Sequence, residues 1–311
     1  MLATVTGNLT KNPPPLKHTK LLRISSSILT LLTFFSGIVR DDVSETKYLK
    51  LAQKKQFDCV GQIFKGELFS GSCVLISDRI LLSAAHVFID HDSRTDTIKM
   101  NGQTIFAYIP INIRVTNVSR LYVLFMGQKV KVKRIIIHPN YLDSLTKGSC
   151  DIALLELENP LTNISTANLS TGYDELKSNV VGVGYGSSGP ANRPDLVKQQ
   201  SKKIAGQNVI DSIAGLEYMG NKTLLLCDFD HPVRKDCNKM GNSKPRPLEY
   251  ICSGGDSGGG LFRKKGKRWE LIGICHSNVT DINQLVKTGY YGQTMEWTRV
   301  SAFVNWIMQT K

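Results

Sequence analysis

The seven cysteines of this 311-residue chain (Cys59, Cys73, Cys150, Cys227, Cys237, Cys252 and Cys275) include no C-x-x-C pair. A structural zinc site is therefore not expected. Seven is odd, so at least one thiol has no partner within the chain. No apolar run reaches the roughly 20 residues of a bilayer span. The longest, residues 24–39, is diluted by Ser and Thr and ends at Arg40-Asp41-Asp42. Acidic residues are scarce, 26 against 39 Lys plus Arg, for a net charge of +13. That balance gives a basic surface. No basic block is interleaved with aromatics as base stacking would require, so no nucleic-acid partner is expected. Internal repeats are absent as well.

What is present suits a globular, turn-rich β protein. Apolar residues make up 41% and glycine is frequent at 26. Residues 1–37 carry Lys11, Lys17, Lys20 and Arg23 and no acid, ahead of the apolar run. A basic segment followed by a short apolar one reads as a signal peptide, with Ser36 and Gly37 as small residues near a cut. The expected location is extracellular or periplasmic. No stable membrane span remains after processing, and an uncleaved anchor is the alternative. A monomer is expected.

Short β runs fill the chain beyond residue 55. Cys59–Phe64, Gly71–Ser77 and Ile80–Ala84 come first, and Asn179–Gly184 and Trp269–Ile274 follow later. Residues 129–137 alternate Lys and Val before turning wholly apolar, the period-two signature of a strand with one wet face. Many short strands without amphipathic helices between them predict an all-β barrel or sandwich. The spacing over 301–308 predicts one C-terminal helix, capped by Ser301. Residues 228–249 read as a long polar surface loop.

Three segments carry candidate chemistry. Leu81-Leu82-Ser83-Ala84-Ala85-His86 is a strand ending in small residues and a histidine. Cys150-Asp151-Ile152-Ala153-Leu154 is an aspartate entering an apolar strand. Gly254-Gly255-Asp256-Ser257-Gly258-Gly259-Gly260 is a serine among glycines. The first two patterns are common structural features when met alone. The third is more specific, because glycines let backbone N–H groups converge on a small oxyanion.

In this order the segments resemble the chymotrypsin/trypsin family of serine peptidases. His138-Pro139-Asn140-Tyr141, Val180–Gly186 and Trp297-Thr298-Arg299-Val300 extend the likeness from about residue 38 to the end. The family implies two antiparallel six-stranded β-barrels with a C-terminal helix. Residues 38–165 would hold His86 and Asp151, and residues 166–311 would hold Ser257. It implies endopeptidase action on proteins or peptides, with no metal or other cofactor. Ser257 would be the nucleophile, His86 the base and Asp151 its orienting group. The N–H groups of Gly255 and Ser257 would form the oxyanion hole. Asp256 would pair with a buried α-amine, and cleavage after Gly37 would supply one at Ile38. Substrate would lie against Ile251, Cys252, His276, Ser277 and Asn278. A non-enzymatic homologue serving as a binding module is the rival reading.

Departures from the family pattern are informative. Val87 follows His86 where many animal relatives have a cysteine, so the staple of the histidine loop is missing, as it is in many bacterial relatives. Neither Tyr250 nor Ile251, at the base of the specificity pocket, is the aspartate that gives trypsins their Arg and Lys preference. Glutamyl endopeptidases place a histidine near His276 to bind an acidic side chain, but here it stands one position off.

Overall fold

A computed structural model describes residues 2–4, 36–100, 103–143, 150–199, 202–279, 285 and 287–311. The first half is a closed six-stranded antiparallel barrel. Its strands run, in order round the barrel, Ala153–Leu157, Ile80–Ser83, Leu68–Leu75, Val60–Lys65, Leu121–Phe125 and Gln128–Ile137, which pairs back to Ala153–Leu157. Alternation does what it should: Val130 and Val132 point inward while Lys129, Lys131 and Lys133 stay exposed. The barrel is tight enough that a side chain on Gly61 would meet the Phe125 ring at 2.5 Å. A long hairpin, Ile89–Met100 with Gln103–Val115, projects between the histidine and aspartate segments, and Leu2–Thr4 adds a short third strand to it.

The second half is an eight-stranded sheet. Its path is Ile204–Val209, Asn179–Gly184, Gly260–Lys265, Arg268–Val279, Thr294–Arg299, Asn221–Asp228 and Ser212–Tyr218, with Asn168–Leu169 alongside Arg268–Val279. Among the described residues this ladder is not closed into the expected second six-stranded barrel. The two edge strands are joined by Ile210 and Asp211 alone. Beside this junction Asp211 N donates to Leu226 O (2.9 Å) and Asn208 Nδ2 to Asp228 O (2.8 Å), both on Asn221–Asp228.

Residues 38–52 were assigned by sequence to the first half, yet they lie against the second. Ser36–Val39 forms a three-stranded sheet with Ser187–Pro190 and Tyr250–Ile251, and Tyr48 of the helix Glu45–Ala52 donates to Glu249 O at 2.9 Å. The expected loop 228–249 is buried at its ends: Asp228, Asp230 and Glu249 are 2%, 5% and 2% exposed. Burial lifts the Asp230 carboxyl to about 6 and the Glu249 carboxyl to about 8.

The C-terminal helix spans Val300–Thr310. Arg299, not Ser301, is its N-cap residue. Ser301 lies inside the first turn and donates to Glu175 Oε1 at 2.6 Å, and Arg299 reaches the same buried carboxylate with Nη2 at 2.6 Å. Phe303 packs on Tyr218 and His138, so the helix clamps the two halves together. None of the described helices is long and apolar enough to cross a membrane. Nearly all of the expected leader, residues 5–35, lies outside the described residues.

Candidate active site

His86 sits in a short 3₁₀ turn, Ala85–Phe88, directly after the strand Ile80–Ser83. Ala84, Ala85 and Phe88 are fully buried and fix where the turn leaves the barrel. Asp151 precedes the neighbouring strand Ala153–Leu157, whose register places Ala153 opposite Ser83. The small residues before the histidine let the two segments close on each other. His86 N donates to Asp151 Oδ1 at 2.8 Å and His86 Nδ1 to Oδ2 at 2.6 Å. His86 Nε2 stands 2.8 Å from Ser257 Oγ, which arrives from the second half.

The serine segment is fastened from both sides. Ser72 N donates to Ser257 O at 2.8 Å and Gly258 N to Cys275 O at 2.9 Å. Gly258 has φ +83°, and a side chain there would meet Ser83 Oγ at 2.1 Å and Ser72 O at 2.2 Å. Only glycine satisfies both the conformation and the space. Gly255 has φ +96° and lies under Phe69. The carbonyl of Gly254 accepts from Ser187 N at 3.1 Å, so the planar trans peptide turns the Gly255 N–H the opposite way. Neither Gly255 N nor Ser257 N donates to a described residue.

Asp151 is fully buried. Burial alone would push its carboxyl up, but the imidazoles of His86 and His276 outweigh burial and hold it well below the usual carboxylate range. His276 was expected to line the substrate. Instead its Nδ1 donates to Asp151 Oδ2 at 2.6 Å, and its Nε2 lies 3.7 Å from Glu296 Oε2. Sequence reasoning missed this contact, along with the roles of Ser72 and Glu296 beside the site. His86, Asp151 and His276 bring their polar atoms within 4.8 Å of one another. Both N···O contacts to Asp151 are hydrogen-bond lengths, shorter than the roughly 3.3 Å separating two ligands around one tetrahedral zinc. The cluster therefore reads as a hydrogen-bonded network.

Asp256 is fixed by Gly186 N (2.8 Å) and Ser253 N (2.9 Å), with Ser253 Oγ and Tyr250 Oη nearby. Burial raises its carboxyl to about 6. Ile38 does not reach it. Ile38 pairs with Gly189 and Ile251, whereas Ser36 pairs with Ser187, the residue after Gly186. The pairing of Ser36 with Ser187 lies next to Gly186, whose N–H donates to Asp256.

Ile251 and Cys252 are buried at 0% and 1% exposure, and Ser277 Oγ is committed to Glu296 Oε2 at 2.8 Å. Asn278 Nδ2 donates to the Cys252 carbonyl, bridging the two segments expected to flank the specificity pocket. All seven cysteines are free and buried, with no disulfide among them.

The family model described as Trypsin matches residues 50–307, a span that holds all three segments. The chain therefore belongs to the trypsin family, whose chemistry is of the serine-protease type.

Proposed function

We propose that the protein is an active serine endopeptidase that cleaves peptide bonds through an acyl-enzyme. One observation carries this reading: a continuous hydrogen-bonded line from Ser257 Oγ through His86 to Asp151, at 2.8 and 2.6 Å, assembled from three distant segments. Ser257 Oγ attacks the scissile carbonyl as His86 Nε2 takes its proton. Asp151 holds the Nδ1–H tautomer and stabilises the imidazolium. His86 then passes the proton to the leaving amine, and water repeats the sequence to release the acid. The uncommitted N–H groups of Gly255 and Ser257 are the donors for the developing oxyanion, each worth about 3–4 kcal/mol in the transition state.

Preference at the residue before the cut follows from the bridged pocket. Asn278 spans it at the Cys252 carbonyl, and Tyr250, Ile251 and Cys252 around it are buried without an ionised carboxylate among them. An uncharged side chain suits these walls, and none of them offers a counter-ion to a buried Arg or Lys. His276 already faces two carboxylates, so it offers no free cation to an acidic side chain.

Secretion belongs to the same reading and rests on the basic-apolar leader and on the family. N-terminal sequencing of released protein locates the cut. An activating α-amine for Asp256 would arise near Ser36 or Gly37 in the observed register.

A fluorophosphonate probe tests the enzyme directly. Labelling is expected on Ser257 and disappears in Ser257→Ala. Processed, folded protein that does not label would instead support a binding module.

A further inference from the structure

We infer that His276 is a positioning residue, a buried imidazolium that shares Asp151 with His86 and sets the basicity of the catalytic histidine. This rests on the triad reading above and adds a residue to it. The strand register places His276 at a bulge: Cys275 pairs with Trp297 and Ser277 with Glu296, leaving His276 as the extra residue of the strand. A bulge re-aims a side chain that regular pleating would send elsewhere. Here it aims the ring at Asp151.

Proton accounting decides the charge. Asp151 Oδ2 is the acceptor of two contacts at 2.6 Å, one from each histidine, so both Nδ1 atoms carry hydrogen. His276 Nε2 lies 3.7 Å from Glu296 Oε2, which also accepts from Ser277 Oγ. A proton on Nε2 is therefore favoured as well. The groups facing His276 are Asp151 from the barrel side, Glu296 from the adjacent strand and the His86 ring at 6.4 Å. Burial works against a charged imidazole, but the two carboxylates outweigh it and raise its pKa. Cys150, Cys275 and Tyr141 nearby have theirs pushed up and stay neutral.

The charge pattern is then carboxylate, imidazolium, carboxylate, with His86 neutral at its edge. His276 offsets part of the negative field at His86 and pins Asp151 against rotation. Removing it leaves two uncompensated carboxylates near His86, which becomes a stronger base. The loss of a positive charge 6.4 Å away between ring centroids, screened by solvent at the partly exposed His86, moves the acid limb upward.

The test is the pH profile of kcat/KM for purified enzyme and for His276→Asn. The variant is expected to move the acid limb up and to lower kcat about tenfold or more, with KM little changed. A residue that only packs would cost activity without moving the limb, and an unmoved limb in a folded variant overturns the inference. Imidazole NMR on the unaltered enzyme needs no variant. His276 should titrate above the ordinary imidazole range and give a second deshielded Nδ1–H resonance beside that of His86. A neutral His276 at pH 6.5 overturns the inference too. Fluorophosphonate labelling of Ser257 in the same sample separates this failure from a failure of the triad itself.

Discussion

Asp256 is the residue next to the nucleophile, 1% exposed, with hydrogen bonds from two backbone N–H groups and no cation among the described residues. Burial lifts its carboxyl from 3.8 to about 6. A folded pKa above the unfolded one means that the folded chain binds the proton more tightly. The corresponding stability is fully present below about pH 4 and is lost as pH rises through 6. A shift of about two units at about 1.4 kcal/mol each makes the total loss about 3 kcal/mol. Asp256→Asn cannot ionise. Its amide still accepts from Gly186 N but not from Ser253 N as well, a pH-independent cost of about 1 kcal/mol. The variant should be slightly less stable than its parent at pH 4 and about 2 kcal/mol more stable at pH 8. Urea unfolding of the uncut chain, in a Ser257→Ala background to prevent self-digestion, measures the difference across that range. A difference that stays constant with pH refutes the reasoning. In a processed chain whose α-amine reaches Asp256 the sign reverses, because the paired carboxylate then titrates low. The same measurement thus reports whether the terminus docks.

Three further outcomes are expected. Ser257→Ala should lower kcat by about 10⁴-fold or more while the folded state persists, read by peptide hydrolysis and circular dichroism. Asn278→Gly removes the bridge to the Cys252 carbonyl, so a peptide-library profile should shift toward larger uncharged residues before the cut. His138 is fully buried, and burial lowers its pKa to about 4. Protonation therefore favours unfolding, and about 3 kcal/mol is lost as pH falls from 6.5 to 4. His138→Leu should flatten that part of the acid unfolding curve.

Much of the site was legible because its chemistry is local. Gly258 must be glycine for its own φ, and Ser83-Ala84-Ala85 must be small for Asp151 to approach, so the nucleophile and histidine segments show in the chain itself. Strand alternation over 129–133 and the apolar 153–155 run likewise announce barrel strands, because a two-residue period follows directly from pleating. Contacts made across folded elements were not legible. His276 reads as a substrate-facing strand residue until the bulge opposite Glu296 turns it toward Asp151. Ile38 looks placed to meet Asp256, but in the uncut chain the register pairs it with Gly189 and Ile251. Ser301 resembles a helix cap until Glu175, more than a hundred residues away, takes its hydroxyl. Residue type and short spacing determine which group is acid, base or nucleophile. Which partner each one meets depends on register and bulges, set by the packing of strands far apart in sequence.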